Sequence, residues 1–532
     1  MMSDRRRWLQ LAAASASTLW LPRSAWSQPH LPGNPFTLGV ASGWPTPEGV
    51  VLWTRLALSD FWGSNLLPQA PITVRWEVAH DSAFSRIVQS GQAQALPELA
   101  HAVHVQVQGL QPQRWYHYRF MVDTAVSPAG RTRTLPAPDE QAKRLRLAYA
   151  SCQRWEHGYY AAYRHMLAEE LDAVLFLGDY IYEYPNAQAA VRRPNRTAHD
   201  GWTVTLEDYR SRYALHKSDT DLQAIHAAVP WWVTWDDHEV ENDYAGLQAG
   251  DSGPTAPQHP GGFAAQRAAA YQAFYEHMPL PVSVLTQGRA GLTTGADMRI
   301  YGQVRWGQLA QLYLLDARQY RNAQACGPAG KLGSSFFNPA QCDQWADPAR
   351  SLLGAAQERW LAQALGASAG RWNILGQSTL FGPRNFHLGA GQSLWNDGWD
   401  GYPAARQRLV NALRAPAASN PVLLGGDVHE NWVGHVLADY SQPGSASVGV
   451  EFCGTSITSR SSGTDKLPER LAKNPHFIFA DGRQRGYGVA QFTPDRLVTT
   501  LRVVDDVQRR DAGVATLASF EVAAGRSRVE QV

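Results

Sequence analysis

The chain has 532 residues, of which 44% are hydrophobic and 18% charged, with 48 Lys plus Arg against 47 Asp plus Glu. That composition excludes wholesale disorder, and a net charge of +1 leaves no electrostatic footprint for nucleic acid or an anionic membrane. Four cysteines exclude a disulfide-dense scaffold, whereas 20 tryptophans are enough either to build cores or to stack on sugars.

The N-terminus reads MMSDRRRWLQLAAASASTLWLPRSAWSQ. Arg5, Arg6 and Arg7 form a basic region, Leu9 to Leu21 a mildly apolar one, and Ala25-Trp26-Ser27 has small residues where a signal peptidase reads. Residues 1–27 are expected to be an export signal, too short and too rich in Ala and Ser to span a bilayer. Arg5-Arg6 followed by Arg7-Trp8-Leu9-Gln10 resembles the twin-arginine motif, which implies the twin-arginine export machinery as a partner and a periplasmic or secreted destination. That route carries folded proteins with cofactors already loaded, which favours a metal site. Removing four Arg and one Asp with the signal leaves a slightly acidic mature chain. No other run reaches the roughly 18 apolar residues of a membrane span.

Residues 28–140 read as a β-sandwich. FTLGVASGWPTPEGVVLWTRL holds two apolar runs about a turn, ITVRWEVA puts Ile72, Val74, Trp76 and Val78 on one face, and HAVHVQVQGL and WYHYRFMV alternate likewise. LPAPDE from Leu135 is a linker by composition. From Leu145 the pattern changes. LRLAYA, AVLFLGD, PWWVTWDD and NPVLLGGD read as buried strands, and MRIYGQVRWG with AQLYLLDAR as a pair. Helices are expected at Gly158–Glu170, around Leu206–Ala228, and at Phe263–His277, Ala355–Leu365 and Pro403–Arg414. Alternating strands and helices imply a layered α/β domain over 141–532.

Four apolar runs end abruptly in side chains able to hold metal: YASCQRW (Cys152), FLGDYIYE (Asp179, Tyr182), TWDDHEVEND (Asp236, Asp237, His238) and LLGGDVHENW (Asp427, His429). Singly, each reads as a turn, a helix cap or a buried thiol. Together, ligands beyond the carboxyl ends of buried strands converge on one crevice.

The order and spacing resemble the calcineurin-like metallophosphoesterase pattern, with Tyr182 three residues after Asp179 as in purple acid phosphatases. Cys152, Asp237 and Asp427 stand where that pattern has other ligands. Those replacements match the PhoD-like alkaline phosphatase family, which the chain resembles through ASCQ, GDYIYE, WDDHEVEND, LLDARQYR, ILGQS, WDGYPAAR, GDVHENW, EFCGTSITS and the N-terminal FTLGVASG–VVLWTRL segment. The resemblance implies an immunoglobulin- or fibronectin-like sandwich followed by a four-layer α/β/β/α catalytic domain. It also implies iron plus calcium, and a phosphatase acting on monoesters and diesters by in-line attack of a metal-bound hydroxide.

The donor chemistry agrees. Thiolate from Cys152 and phenolate from Tyr182 suit Fe³⁺, with His429 as the imidazole. Asp179 can bridge to an all-oxygen position bounded by Asp236, Asp237 and Asp427, which suits Ca²⁺. His238 is expected to contact phosphate and protonate the leaving alkoxide, and Arg154 is either a phosphate clamp or a structural arginine. Asn242 and Asn431 stay unassigned. Cys326 and Cys342 flank CGPAGKLGSSFFNPAQC, a plausible disulfide loop, while Cys453 in VGVEFCG reads as a buried thiol. Two rival readings are a diesterase of phospholipase D type on the same centre, and a non-enzymatic carbohydrate- or surface-binding protein. The expected mature form is a monomer without an integral membrane segment, taking small-molecule or lipid phosphate esters.

Overall fold

In the computed structural model the described residues are 31–58, 67–185, 190–193, 201–251, 257–285, 298–442, 444–461 and 464–532. The expected export signal lies outside them. The described residues of Met1–Leu135, Arg196–Trp231 and Ala264–Arg299 form one compact unit; those of Pro136–Asn195, Trp232–Phe263 and Ile300–Val532 form a second. The first break falls in the proline-rich linker after Leu135.

In the first unit Val40–Thr46, Gly49–Arg55 and Ala102–Val107 pair antiparallel. A second sheet runs Ile87–Ala95, Ile72–Ala79, Trp115–Val122, Ala125–Val126, with Gly130–Arg133 also on Trp115–Val122. Period-two alternation turns one face of each sheet into a shared core: Val40, Leu52 and Val105 from the first meet Ile72, Val74, Val78, Tyr118 and Phe120 from the second. The strand Ile87–Ala95 escapes a hydrophobic-pattern reading because IVQSGQAQA is rich in Gln and Ser and only its last residue is buried, as befits an edge strand. The helices Leu206–Lys217 and Thr220–Ala228 group with these N-terminal strands despite their late position in the chain. Thr205 starts the first through a capping box with Asp208, and Asp219 caps the second.

Among the described residues the second unit has two large sheets, besides a short pair of Phe336–Phe337 with Leu394–Trp395. In one, Leu145–Ala150 lies parallel to Ala173–Leu177 and antiparallel to Gly486–Phe492, after which Arg496–Val504, Val514–Ala523 and Glu530–Gln531 continue outward. The other is seven-stranded, with Ala310–Leu314, Trp372–Gly376, Pro421–Gly425 and Ser447–Cys453 parallel at its centre. Helices Ala355–Gly366 and Pro403–Leu413 cover it, Leu361, Leu365, Leu409 and Val410 packing on Tyr313, Leu375 and Leu423. Its opposite face meets the first sheet so closely that a Cβ on Gly376 would lie 3.0 Å from Leu175. The arrangement is a layered α/β fold.

Trp53, Trp231, Trp232, Trp235, Trp372, Trp399 and Trp432 are fully buried, so these tryptophans build cores. Cys326 and Cys342 form a disulfide and Cys453 is a buried free thiol, as expected; Cys152, expected as a metal ligand, is also buried and outside any disulfide. Among the described residues no helix is long and apolar enough to cross a membrane.

Candidate metal centre

Cys152, Asp179, Asp236 and Asp427 each stand two residues beyond a buried strand: Leu145–Ala150, Ala173–Leu177, Trp231–Thr234 and Pro421–Gly425. Parallel pairing makes the first two strands end at one edge, and backbone bonds carry the register further. Cys152 N–H donates to Gly178 O and Gln153 N–H to Asp179 O, both at 3.0 Å, and Ile457 N–H donates to Ser151 O at 3.0 Å. Gly178, at φ +99°, is required: a Cβ there would lie 2.6 Å from the Asp236 backbone nitrogen.

The backbone is strained where these side chains gather. Cys152, Asp179, Asp427 and His429 adopt φ of 60°, 58°, 66° and 56°, the left-handed region that non-glycine residues avoid. Such conformations cost about 1–3 kcal/mol each and collect at functional sites.

One ligand atom each from Cys152, Asp179 and His429 lies within 4.8 Å of the others. The Tyr182 hydroxyl joins them, donating to Asp179 Oδ2 at 2.9 Å, lying 3.3 Å from His429 Nε2 and accepting from Ser459 Oγ at 2.8 Å. His429 Nδ1 is 2.8 Å from the Arg460 carbonyl. A carbonyl only accepts, so Nδ1 carries the proton and Nε2 turns a lone pair to the cluster. A second such group joins Asp179, Asp237 and His238, and a third joins Asp237, Asp243 and Asp397.

The remaining carboxylates are spoken for in part. Asp236 Oδ1 takes the Arg318 Nε–H at 2.6 Å, and Asp427 Oδ2 takes the Thr379 hydroxyl at 2.6 Å. Asp237 accepts the backbone N–H of His238 and of Asp243 at 2.9 and 2.8 Å. Asp179 Oδ1 and Asp236 Oδ2 are buried and have no hydrogen-bond donor. Such an oxygen loses its water without replacement, a penalty of about 1–3 kcal/mol or more for a charged group. These are the atoms a cation would satisfy.

Charge reinforces that reading. Burial, and then the Asp179 carboxylate, push the thiol of Cys152 and the phenol of Tyr182 well above their ordinary ranges. Burial, with Asp236 and Asp237 alongside, raises Asp427 to about 8. Burial lowers His429 to about 4, which keeps its imidazole neutral. Arg318 is the buried counter-charge: it meets Asp236, Asp237 at 3.3 Å and Asp397 at 2.8 Å. Arg321 and Gln324 also hold Asp397, which leaves that side chain a structural role.

His238 belongs to the second group, its ring 4.2 Å from that of Tyr182, with Nδ1 2.7 Å from Glu183 Oε2. The Arg154 guanidinium lies 5.7 Å over Tyr182 and 5.1 Å over Tyr184, with its buried Nε 3.7 Å from Glu156 Oε2 and its Nη2 donating to the Pro185 carbonyl at 3.4 Å. Asn242 spends its side chain on the Asp251 carbonyl, whereas Asn431 accepts the Thr455 N–H and leaves its Nδ2 buried without a partner. The sequence reading missed Glu183, Glu239 and Arg318. Acidic residues inside the aromatic GDYIYE and WDDHE segments, and an arginine four residues past the buried strand Ala310–Leu314, were the signals available.

Comparison with known proteins adds to this geometry. The PhoD-like phosphatase model matches residues 147–501, and the PhoD-like phosphatase N-terminal domain model matches 23–136. Alkaline phosphatase D of Bacillus subtilis (strain 168) is 43% identical over 529 residues, covering 97% of this chain and 87% of that protein. A solved structure described as PhoD superposes with a TM-score of 0.86 at 42% identity, covering 95% of this chain and 93% of its own. A glycosyl hydrolase family 2 member from Bacteroides cellulosilyticus DSM 14838 aligns at a TM-score of 0.24 and 9% identity, and carries no argument.

Proposed function

The chain belongs to the PhoD-like phosphatase family and is a phosphoric ester hydrolase, and from that premise we propose an exported, metal-dependent enzyme acting on phosphate monoesters and diesters at the cluster around Asp179. The observation that carries this reading is the convergence of Cys152, Asp179, Tyr182 and His429 beside two buried, donorless carboxylate oxygens. The donor set fits two cations. Cys152, Asp179, Tyr182 and His429 would hold Fe³⁺, and Asp179, Asp236, Asp237 and Asp427 would hold Ca²⁺. Bound there, the cations supply Lewis-acid neutralisation of phosphate charge and acidify a coordinated water.

The chain's own residues do the rest. Glu183 fixes the Nδ1 side of His238, leaving Nε2 to deliver a proton to the departing oxygen. Arg154, whose guanidinium lies over the rings of Tyr182 and Tyr184 beside the cluster, pairs with a phosphate oxygen. Strained, hydrogen-bonded turns keep the ligands in place before substrate arrives, so little reorganisation is left for the reaction itself.

We read 1–27 as a twin-arginine signal, 28–140 as an immunoglobulin- or fibronectin-like sandwich and 141–532 as a four-layer α/β/β/α catalytic domain. The two family models, ending at 136 and starting at 147, support that division. A periplasmic or secreted destination is supported by the RRRWLQ segment and by the Cys326–Cys342 disulfide, which suits an oxidising compartment. Buried tryptophans favour hydrolysis over a sugar-binding role. The test is metal analysis of the purified mature protein with paired aryl monoester and diester substrates, before and after chelation. Iron and calcium at stoichiometric levels with chelator-sensitive turnover support the reading; full activity in metal-free protein overturns it.

A further inference from the structure

Glu239 follows the Asp236-Asp237-His238 turn and is buried, and nothing above uses it. Its Oε1 accepts the Tyr180 N–H at 2.6 Å and its Oε2 the Asp236 N–H at 2.9 Å. Those two amides belong to the two turns that present Asp179 and Asp236, the residues whose second oxygens lack any donor. One of these turns holds Asp179 in left-handed backbone at φ 58°. A carboxylate accepting amide bonds at both oxygens has its lone pairs committed to the chain.

We propose that Glu239 is a positioning residue which ties the Asp179 and Asp236 turns together in the geometry that receives a cation. Without it, the two strand ends remain neighbours in the sheet but lose the tie between the turns beyond them, and the spacing between their carboxylates is less firmly fixed. The inference rests on the cation reading given under Proposed function. Glu239→Gln is the informative change, because it keeps the shape but turns an NH₂ donor against a backbone N–H.

The experiment uses iron-bearing protein freed of calcium with EGTA and titrated with CaCl₂, read by unfolding temperature. Wild-type protein is expected to gain stability with CaCl₂. E239Q is expected to bind Ca²⁺ about 10- to 100-fold more weakly, and Glu239→Asp, which keeps the charge with a shorter reach, to fall between the two. If E239Q does not fold, E239D against wild type decides on the same criterion. An unchanged Ca²⁺ midpoint in the variant, with unfolding temperature lowered equally with and without calcium, overturns the positioning role alone. A wild type that gains nothing from CaCl₂ overturns the calcium reading and this inference with it.

Discussion

Glu183 Oε2 lies 2.7 Å from His238 Nδ1, while its other oxygen accepts the Asn242 N–H at 2.8 Å, so the glutamate fixes both the ring and the turn that follows it. Burial opposes charge on His238, yet Glu183, Asp237 and Asp179 together hold its imidazolium well above the ordinary histidine range. A raised value means the ring stays protonated through neutral pH, and its stabilising contribution, complete below about pH 6.5, is lost as pH rises through the raised value. Glu183→Gln is expected to move the alkaline limb of the kcat profile to lower pH and to reduce kcat by about 10²-fold. A pH–rate profile with an unmoved alkaline limb would contradict the role of His238 as proton donor.

Removing cations leaves an acidic cluster in low dielectric. Asp427, pushed up to about 8 by burial and by Asp236 and Asp237, then holds a proton in the folded chain and releases it on unfolding. The sign follows: the unfolded chain binds fewer protons between about pH 4 and 8, so stability falls as pH rises through that window. Chelated protein is expected to lose unfolding temperature over that range and cation-loaded protein to lose much less. Parallel Tm–pH curves for the two forms would count against cations at these carboxylates.

Arg318 is the buried cation that Asp236, Asp237 and Asp397 share. Truncating one partner of a buried ion pair costs about 3–5 kcal/mol, because the others stay buried and uncompensated. Arg318→Ala is expected to lower stability by about that amount in denaturant titrations at neutral pH. A change below about 1 kcal/mol would show that the acids are neutralised in another way.

The Cys326–Cys342 disulfide closes a loop whose Ser334 N–H donates to Asp243 Oδ2 at 3.0 Å, and the Asp243 N–H in turn donates to Asp237 at 2.8 Å. Its loop closure is worth roughly 3 kcal/mol. The double change Cys326→Ser and Cys342→Ser is expected to lower stability by up to that amount and to weaken catalysis through Asp237. Unaltered kcat together with unaltered unfolding would mean the loop is held without the bridge.

The candidate site was legible from the sequence because its residues end buried strands. An apolar run broken by Asp or Cys is visible without knowing which strands pair, and Cys152, Asp179, Asp236 and Asp427 all have that form. Glu183, Glu239 and Arg318 were not legible as functional, because their roles lie in bonds to amides and carboxylates far away in sequence: Arg318 to Asp236 spans 82 residues. The polar edge strand Ile87–Ala95 carries little hydrophobic signal, and the grouping of Leu206–Ala228 with the N-terminal strands depends on tertiary packing alone.

Tyr182 decides the central claim. Its hydroxyl stands 2.9 Å from Asp179 Oδ2 and 3.3 Å from His429 Nε2, where a phenolate bond to the proposed iron would absorb visible light. The direct measurement is the visible spectrum of purified protein alongside Tyr182→Phe, with iron content and phosphatase activity on the same samples. The wild type is expected to show a charge-transfer band that vanishes in the variant, with activity lower by about 100-fold or more. A variant that keeps both the band and the activity would contradict that claim.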